Sequence, residues 1–320
     1  MVAGKGHKVT RSQGHKRLST TFGKLKLENP VILASGTCGF GEEIEGLVDI
    51  NKLGAIITKT ITLNKREGNP PPRVVEAPAG LLNSIGLDND GLKDFMFKKA
   101  PYLADLKIPV IASIAASSMG EFVKLTEKLT GIPRVSGVEI NFSCPNVIHK
   151  GTKFPLLAQD RKAVEKITSR LRKATKKTLI AKLSPNVTDI REIAKAAETE
   201  GADALSLINT YPGMLVDIYS MKPRLGGITG GLSGPCIKPL ALKCVWDAHN
   251  AVKIPIIGMG GIMRAEDAIE FILCGASAIQ VGTANFINPR APLEILNGIR
   301  KYLKEKKIKS IKSLVGKLRI

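Results

Sequence analysis

The sequence lacks paired cysteines and long apolar runs, and each absence excludes a class of protein. Its five cysteines are scattered at Cys38, Cys144, Cys236, Cys244 and Cys274 without any CxxC pair, so zinc and iron–sulfur sites of the usual spacing are excluded. No stretch of about 18 uninterrupted apolar residues occurs, which excludes a membrane-spanning helix. The basic N-terminus has no apolar secretory segment, which predicts a cytoplasmic protein with reduced thiols.

Acidic residues are also scarce, and the excess of positive charge lies at the two ends. The formal net charge is +20, from 48 Lys and Arg against 28 Asp and Glu. Residues 1–26 carry seven basic residues and no acid, and residues 301–320 carry eight basic residues and one acid, so each end contributes +7 and the remainder +6. We interpret the ends as solvated tails. Attraction to RNA or acidic surfaces is the alternative, although the tails lack the aromatic interleaving of single-strand binders.

Short apolar runs alternate with longer amphipathic segments along the chain. The runs are 31–35, 55–59, 109–113, 137–142, 178–184, 203–209, 254–259 and 277–282, and the clearest helical patterns are 160–176, 188–200, 236–250, 264–274 and 291–304. The runs are continuous rather than alternating, as in parallel strands that are buried on both faces. Eight such units predict an α/β fold, a parallel (β/α)8 TIM barrel; an open doubly wound sheet is the alternative.

The predicted barrel spans residues 22–304. It lies between a basic N-terminal extension (1–21), which we expect to be poorly ordered, and a basic C-terminal tail (305–320). Two connections are longer than the barrel requires: residues 60–107 follow strand 2, and residues 210–235 follow strand 6. Long loops on a compact scaffold are typical of lids and binding loops. Active sites of barrels lie at the C-terminal ends of the strands, so residues at those ends are the functional candidates.

Polar side chains and glycines converge at these strand ends. They are Ser35, Lys59, Thr60, Asn141, Lys182, Asn209, Thr210, Gly260, Gly261, Gly282 and Thr283. No Asp, Glu or His-rich metal set stands among them, so we predict a metal-free site for an anionic, planar ligand. The pairs 260–261 and 282–283 follow strands 7 and 8, where barrels commonly bind phosphate through backbone amides. Ordinary turn glycines are the alternative.

Two of these residues, Lys59 and Lys182, and one further side chain, Cys144, are candidates for chemistry. Lys59 and Lys182 lie at the ends of apolar strands and are interpreted as charge partners of an electron-rich ring, with solvated lysines as the alternative. Cys144 lies just past strand 4 between Asn141 and Asn146. A lone cysteine is usually a small core residue, and no local His–Asp pair indicates a hydrolase nucleophile. A thiolate that acts as a base in carbon-acid chemistry fits better.

Eight segments, in order, resemble the class 1 dihydroorotate dehydrogenases over roughly residues 22–300. They are SGTCGFG (35–41), NSIGLDN (83–89), EINFSCPN (139–146), AKLSPN (181–186), INT (208–210), TGGLSGPCIKPLALK (229–243), MGGI (259–262) and VGTANF (281–286). Cysteine at position 144 points to class 1, since the membrane-bound class uses serine there. The stretch GMLVDI…KPRLGG…TGGLSGP resembles the B type, which works with a second subunit.

The resemblance implies oxidation of (S)-dihydroorotate to orotate in de novo pyrimidine (UMP) biosynthesis. It implies FMN contacts from Ser35, Lys59, Thr60, Asn141, Lys182, Ile208, Gly234, Gly260, Gly261, Gly282 and Thr283. It implies substrate contacts from Lys59, Asn83, Ser84, Ile85, Gly86, Leu87, Asn141, Asn146, Asn209 and Thr210. Cys144 would take the proton from ring carbon 5 while hydride passes from carbon 6 to FMN. Two departures are Ser113, where relatives often carry Asn, and Cys38, where Phe is commoner.

The resemblance also implies partners. We expect one FMN per chain, a homodimeric core, and an electron-transfer subunit with FAD and an iron–sulfur cluster that passes electrons to NAD, giving a heterotetramer. The missing cluster ligands in this chain are consistent with such a subunit. Two alternatives remain: a dihydropyrimidine dehydrogenase-like flavoprotein that acts on uracil or thymine, and an RNA-binding protein that uses the basic tails. The second leaves the residues at the strand ends unexplained.

Overall fold

The computed structural model describes residues 17–142 and 157–320. In chain order the strands are β1 (Thr20–Phe22), β2 (Leu25–Leu27), β3 (Val31–Leu33), β4 (Ala55–Ile57), β5 (Val74–Ala77), β6 (Gly80–Asn83), β7 (Val110–Ile114), β8 (Val135–Asn141), β9 (Thr178–Lys182), β10 (Ala204–Leu207), β11 (Tyr211–Gly213), β12 (Val216–Asp217), β13 (Lys222–Pro223), β14 (Gly230–Ser233), β15 (Ile256–Met259) and β16 (Ala276–Val281).

The α-helices are α1 (Gly91–Asp94), α2 (Ala100–Ala104), α3 (Met119–Thr130), α4 (Arg161–Ala174), α5 (Ile190–Thr199), α6 (Lys238–His249), α7 (Ala265–Leu273), α8 (Ala284–Ile287) and α9 (Ala291–Glu305). A π-helical turn, Phe95–Lys99, separates α1 from α2. Single 3-10 turns lie at Glu42–Ile44, Ile50–Lys52, Leu157–Gln159, Pro235–Ile237 and Ile311–Leu314.

Eight strands form a closed, all-parallel barrel in the order β3, β4, β7, β8, β9, β10, β15 and β16, and β16 pairs back to β3. Each of the eight apolar runs overlaps one of these strands, so the predicted (β/α)8 TIM barrel is confirmed. The residues are apolar on both faces because helices cover the outside and side chains fill the inside. Ile32, Ile57 and Ile180, for example, lie fully buried in one cluster inside the barrel.

The first connection differs from the expected helix. Residues between β3 and β4 form two 3-10 turns, Glu42–Ile44 and Ile50–Lys52, rather than an α-helix. Gly41 precedes the first turn with φ of 103°, a left-handed conformation that only glycine adopts at little cost. The glycine-rich sequence therefore replaces the helix with a compact loop at the mouth of the barrel.

The two long loops meet in a second sheet at the mouth. β5 and β6 come from the loop after β4, whereas β11 and β14 come from the loop after β10. They form one antiparallel sheet in the order β11, β14, β6 and β5, which we call the mouth sheet. Asn83 pairs with both Gly231 and Val74 in its register, so strands far apart in the sequence are held together at this point.

The opposite end of the barrel is closed by the β1–β2 hairpin. Phe22, Leu25 and Leu27 are buried and pack with Ala55 and Ala204, which begin two barrel strands. Burial of such side chains stabilises the folded chain by about 1.5–3 kcal/mol each. The hairpin therefore fixes the lower end of the barrel.

The C-terminal segment beyond α9 packs on the barrel helices. Ile311 is buried, and the backbone amides of Gly316 and Leu318 donate to the carbonyls of Ile272 and Leu273 in α7. The segment expected to be a basic C-terminal tail (305–320) therefore makes these contacts with the rest of the fold. No helix among residues 17–142 and 157–320 is long and apolar enough to cross a bilayer.

Candidate active site

A cavity of about 710 Å³ lies at the C-terminal ends of the barrel strands. Residues at or just past the ends of β3, β4, β8, β9, β10, β15 and β16 line it. Val74, Leu81, Asn83 and Ser233 of the mouth sheet form one wall. Cavities that hold cofactors and substrates measure about 300–1,000 Å³, so this volume suffices for both a mononucleotide and a small ring.

The cavity gathers nearly all of the predicted site residues. Every residue expected to contact FMN lines it, as do Lys59, Asn83, Ile85, Gly86, Leu87, Asn141, Asn209 and Thr210 from the expected substrate set. Ser84 does not: it is fully buried behind the wall, where its hydroxyl accepts a hydrogen bond from Asn69 Nδ2 at 2.7 Å. Cys144 and Asn146 lie outside the described residues.

Two turns at the ends of neighbouring strands form a glycine cradle, residues 260–261 after β15 and 282–283 after β16. Gly261 has φ of 77°, and a Cβ there would lie 2.9 Å from the carbonyl oxygen of Gly234. The backbone packs this closely only without a side chain, which leaves peptide groups bordering the cavity. Such turns suit phosphate oxygens.

A lysine beside this cradle, Lys238, is already paired. Lys238 Nζ donates to Asp267 Oδ1 at 2.7 Å and to Glu270 Oε1 at 3.2 Å. The Asp267 hydrogen bond is the largest cause of a raised Lys238 pKa, so Lys238 stays charged and directed at α7. Asp267 also accepts from the amides of Met263 and Arg264 at the start of α7. The cradle therefore relies on peptide groups and the Thr283 hydroxyl.

A polar layer lies beneath the cavity, above the apolar filling of the barrel. Glu139 is fully buried, and its Oε2 accepts hydrogen bonds from Ser206 Oγ and from Gln280 Nε2, both at 2.9 Å. Lys182 Nζ lies 3.7 Å from Glu139 Oε1. Lys182 and Gln280 line the cavity above, so this layer forms its floor.

Three carboxamides and a hydroxyl occupy the side of the cavity near the mouth sheet. Asn209 Nδ2 donates to Asn141 Oδ1 at 3.2 Å, and Asn209 Oδ1 accepts from the amide of Thr210 at 2.8 Å. Asn83 Nδ2 donates to the carbonyl of Gly231 at 3.2 Å. Each carboxamide offers both donors and acceptors, so the set can match the alternating groups of a pyrimidine dione.

A cation and a carboxylate face each other at the rim. Lys59 Nζ lies 4.0 Å from Asp88 Oδ2, and Arg73 Nη1 donates to the same oxygen at 3.2 Å. Arg73 also donates to the carbonyls of Glu67 and Asn69, both at 2.6 Å. Arg73 therefore holds the loop around the rim while Lys59 borders the cavity.

The Ser113 departure lies behind the cavity wall. The fully buried Ser113 hydroxyl is 3.0 Å from Thr60 Oγ1, which is 3.4 Å from Ser35 Oγ. Thr60 and Ser35 line the cavity. Ser113 thus acts through Thr60, whose orientation it supports.

Cys38, the other departure, lines the cavity as a neutral thiol. Burial raises its pKa to about 12, with nearby Glu43 adding to the effect. A thiol with this pKa remains protonated at neutral pH and is unreactive. Its place is consistent with packing beside a ring.

Three carboxylates lie at the cavity, although none stood among the predicted strand-end residues. The expectation of no Asp or Glu at this site is wrong, because Glu43 and Asp88 line the cavity and Glu139 lies in its floor. The inward position of Glu139 was predictable, because it stands two residues before Asn141 within an apolar strand and both side chains therefore share the inward face. Among the described residues, no group of three or more His, Cys, Asp or Glu side chains could hold a metal ion.

Comparison with known proteins gives a consistent family. The family model described as dihydroorotate dehydrogenase matches residues 17–303. A protein of Trichlorobacter lovleyi is 51% identical over 301 residues, 94% of this chain and 98% of that protein. Proteins of Thermoanaerobacter pseudethanolicus and Bacteroides fragilis are 48% and 46% identical over 303 residues, each covering 95% of this chain and 99% of its own length. All three carry the name dihydroorotate dehydrogenase B (NAD(+)), catalytic subunit.

Proposed function

This chain belongs to the dihydroorotate dehydrogenase family, and we propose that it is the catalytic subunit of an NAD-linked enzyme that oxidises (S)-dihydroorotate to orotate with FMN. The reaction is a step of de novo pyrimidine biosynthesis. One observation carries the proposal: a single cavity joins a glycine cradle, a buried lysine and a row of carboxamides. These are the groups that a phosphate, an electron-rich ring and a pyrimidine dione require.

The residues fit FMN. The cradle at 260–261 and 282–283 suits the phosphate, since both turns border the cavity and the packing at Gly261 leaves no room for a side chain. Lys182, with only 6% of its side chain exposed, places an ammonium where the ring would lie. When bound, FMN supplies the acceptor for hydride from ring carbon 6 of the substrate. Ser35 and Thr60 border the same space.

The substrate would lie against the carboxamide side. Asn83, Asn141 and Asn209 orient the ring through its alternating donors and acceptors. The Lys59 ammonium at the rim would pair with the substrate carboxylate. The mouth sheet forms the wall on this side and shields the ring from water, which strengthens both interactions.

Cys144 would move the proton. By resemblance its Sγ, as a thiolate, takes the proton from ring carbon 5 and completes the oxidation of the carbon–carbon bond. Its neighbour Asn146 would contact the same ligand. Both residues lie outside the described residues, so these roles rest on the SCPN motif and its place after β8.

The nearest alternative is a dihydropyrimidine dehydrogenase-like activity on uracil or thymine. Those substrates have no carboxylate, so they give Lys59 no partner. The position of Lys59 on the cavity lining favours an acidic substrate. Dihydroorotate and dihydrouracil contain the same dihydropyrimidine ring, and only dihydroorotate carries a carboxylate. Offering each compound to the flavin as its reductant distinguishes the two activities.

The test is an anaerobic visible spectrum of the purified protein. We expect a yellow flavin that dihydroorotate bleaches at once and dihydrouracil leaves oxidised. Bleaching by dihydrouracil alone would support the alternative activity. A colourless protein that takes up no added FMN would overturn the proposal. Lys59→Met should lose the preference for dihydroorotate, and its rates are compared per bound flavin, because Lys59 is also among the expected FMN contacts.

We also propose how electrons leave. The chain has no CxxC motif, so a second subunit with FAD and an iron–sulfur cluster would carry electrons to NAD in a heterotetramer built on a homodimer of this chain. The proposed location is the cytoplasm. The purified chain should form dimers and reduce NAD slowly with dihydroorotate, and rapid NAD reduction by the chain alone would contradict the need for a partner.

A further inference from the structure

Glu139 is a buried carboxylate whose two oxygens have different partners. Oε2 accepts hydrogen bonds from Ser206 Oγ and Gln280 Nε2, each at 2.9 Å. Oε1 has no hydrogen-bond partner among the described residues, and Lys182 Nζ lies 3.7 Å from it. The side chains of Glu139 and Lys182 are 0% and 6% exposed, so little solvent screens this pair.

The hydrogen bonds fix the carboxylate from across the barrel. Glu139 lies in β8, Ser206 in β10 and Gln280 in β16. None of these three strands pairs with another of the three, since β9 separates the first two and β15 separates the last two. The bonds therefore cross the barrel interior, and three separate strands determine where the carboxylate lies.

Lys182 connects this layer with the cavity. Its Nζ is too far from Glu139 Oε1 for a hydrogen bond but close enough for a strong Coulombic attraction in a buried site. The ammonium is thereby held near the floor while its hydrogens remain available to a ligand above. Lys182 lines the cavity, so that ligand shares the space proposed for the flavin ring.

We infer that Glu139 is a positioning residue that holds the Lys182 ammonium, charged and oriented, against the flavin ring. This inference rests on the proposed function. A buried ammonium without a counter-charge is costly, so without Glu139 the lysine side chain would move away from the floor. The ring would then lose a fixed positive charge that stabilises its reduced form.

A double-mutant cycle tests the inference, because it separates an effect through Lys182 from a general structural effect. The variants are Glu139→Gln, which keeps the shape and removes the charge, Lys182→Met, and the double variant. The readouts are the rate at which dihydroorotate reduces the flavin and the dissociation constant of FMN. We expect Glu139→Gln to lower the rate by at least about tenfold when Lys182 is present and by less than about twofold when Met replaces it.

Equal effects of Glu139→Gln in both backgrounds would overturn the inference. If Glu139→Gln alone does not fold, the double variant decides, because it contains no unpaired buried charge: folding of the double supports the pair, and its failure to fold contradicts it. Glu139→Asp keeps the charge and should retain more activity than Glu139→Gln. An Asp variant as impaired as the Gln variant would show that charge is not what matters.

Asp203→Asn is the matched control. Asp203 also pairs with a cation, Arg172 Nη1 at 2.7 Å, but it precedes β10 at the end of the barrel opposite the cavity. It should lower thermal stability and leave the reduction rate unchanged. If the wild-type flavin is not reduced by dihydroorotate, the proposed function fails, whereas the cycle in FMN affinity still tests Glu139 separately.

Discussion

Lys59 and Asp88 face each other across the rim of the cavity, with 4.0 Å between Nζ and Oδ2. The pair is about one third exposed on each side, so its energy is modest, about 0.2–1 kcal/mol. We expect an acidic substrate to compete with Asp88 for the same ammonium. Arg73 holds the surrounding loop through backbone carbonyls as well, so the loop does not depend on Asp88 alone.

Asp88→Asn should therefore strengthen substrate binding. Removal of the competing carboxylate frees Lys59, and we expect the KM for dihydroorotate to fall about two- to fivefold with little change in kcat. Steady-state kinetics at low and high salt check this. Asp94→Asn is the control and should leave KM unchanged, because it removes a partly buried carboxylate of α1 that pairs with Lys98 and does not line the cavity. A higher KM in Asp88→Asn would mean that Asp88 orders the site instead.

Gly261→Ala should release the cofactor. Its φ of 77° and the short distance from a Cβ to the Gly234 carbonyl force the cradle to shift. We expect the dissociation constant of FMN to rise at least about tenfold, since strain at such a position costs about 1–3 kcal/mol. Gly120→Ala in α3, where a Cβ meets nothing within 4 Å, should bind FMN normally and be slightly more stable. Equal FMN affinity in both variants would contradict the role of the cradle.

Cys144→Ala should keep FMN and lose turnover. Removal of a general base typically costs about 10²–10⁴-fold in rate. The measurement is the rate of flavin bleaching by dihydroorotate beside the flavin content of the same sample. Cys144→Ser retains a weak base, so its bleaching rate should lie between those of the wild type and Cys144→Ala. Unchanged bleaching in Cys144→Ala would mean that another group takes the proton.

Turnover should rise with pH. The base must be a thiolate, and the pKa of an ordinary cysteine is about 8.5, so the fraction of enzyme with a thiolate increases as the pH rises towards that value. The profile of kcat/KM between about pH 6 and 9 checks this, with Cys144→Ser as the non-titrating control. A wild-type profile that is flat over this range would argue against a cysteine base.

Iodoacetamide at mildly alkaline pH should distinguish the cysteines. Burial raises the pKa of Cys38 to about 12 and that of Cys244 to about 11, and it also raises the pKa of Cys274. These thiols remain protonated and should react slowly. We expect modification of Cys144 to parallel loss of activity, with protection by orotate, as followed by peptide mass spectrometry. Inactivation that instead follows the labelling of Cys38 would contradict this order.

The barrel was predictable because its signal is local. Continuous apolar runs such as 109–113 and 277–282 fall on β7 and β16, and the helical patterns follow the 3.6-residue period. The mouth sheet was not predicted, because its strands come from loops more than 100 residues apart and its residues are only partly buried. Pairing between distant segments leaves little trace in one sequence.

The site was predictable at the strand ends but less so below them. Most of the glycines and carboxamides predicted at the strand ends line one cavity, while their roles towards FMN and the substrate stay predictions. The floor was missed because a carboxylate such as Glu139 acquires its surroundings only when the closed barrel brings Ser206 of β10, Gln280 of β16 and Lys182 of β9 to it. Ser84 shows the converse: its motif suggests a ligand contact, but the fold turns its hydroxyl towards Asn69.

The hairpin that closes the lower end of the barrel also bears on how ligands reach the cavity. Within residues 17–142 and 157–320, Phe22, Leu25 and Leu27 fill that end, so the described part of the chain offers ligands no opening there. We therefore expect orotate to leave through the mouth, by the path that the next dihydroorotate takes. Slow release of orotate would then delay the binding of the next substrate molecule.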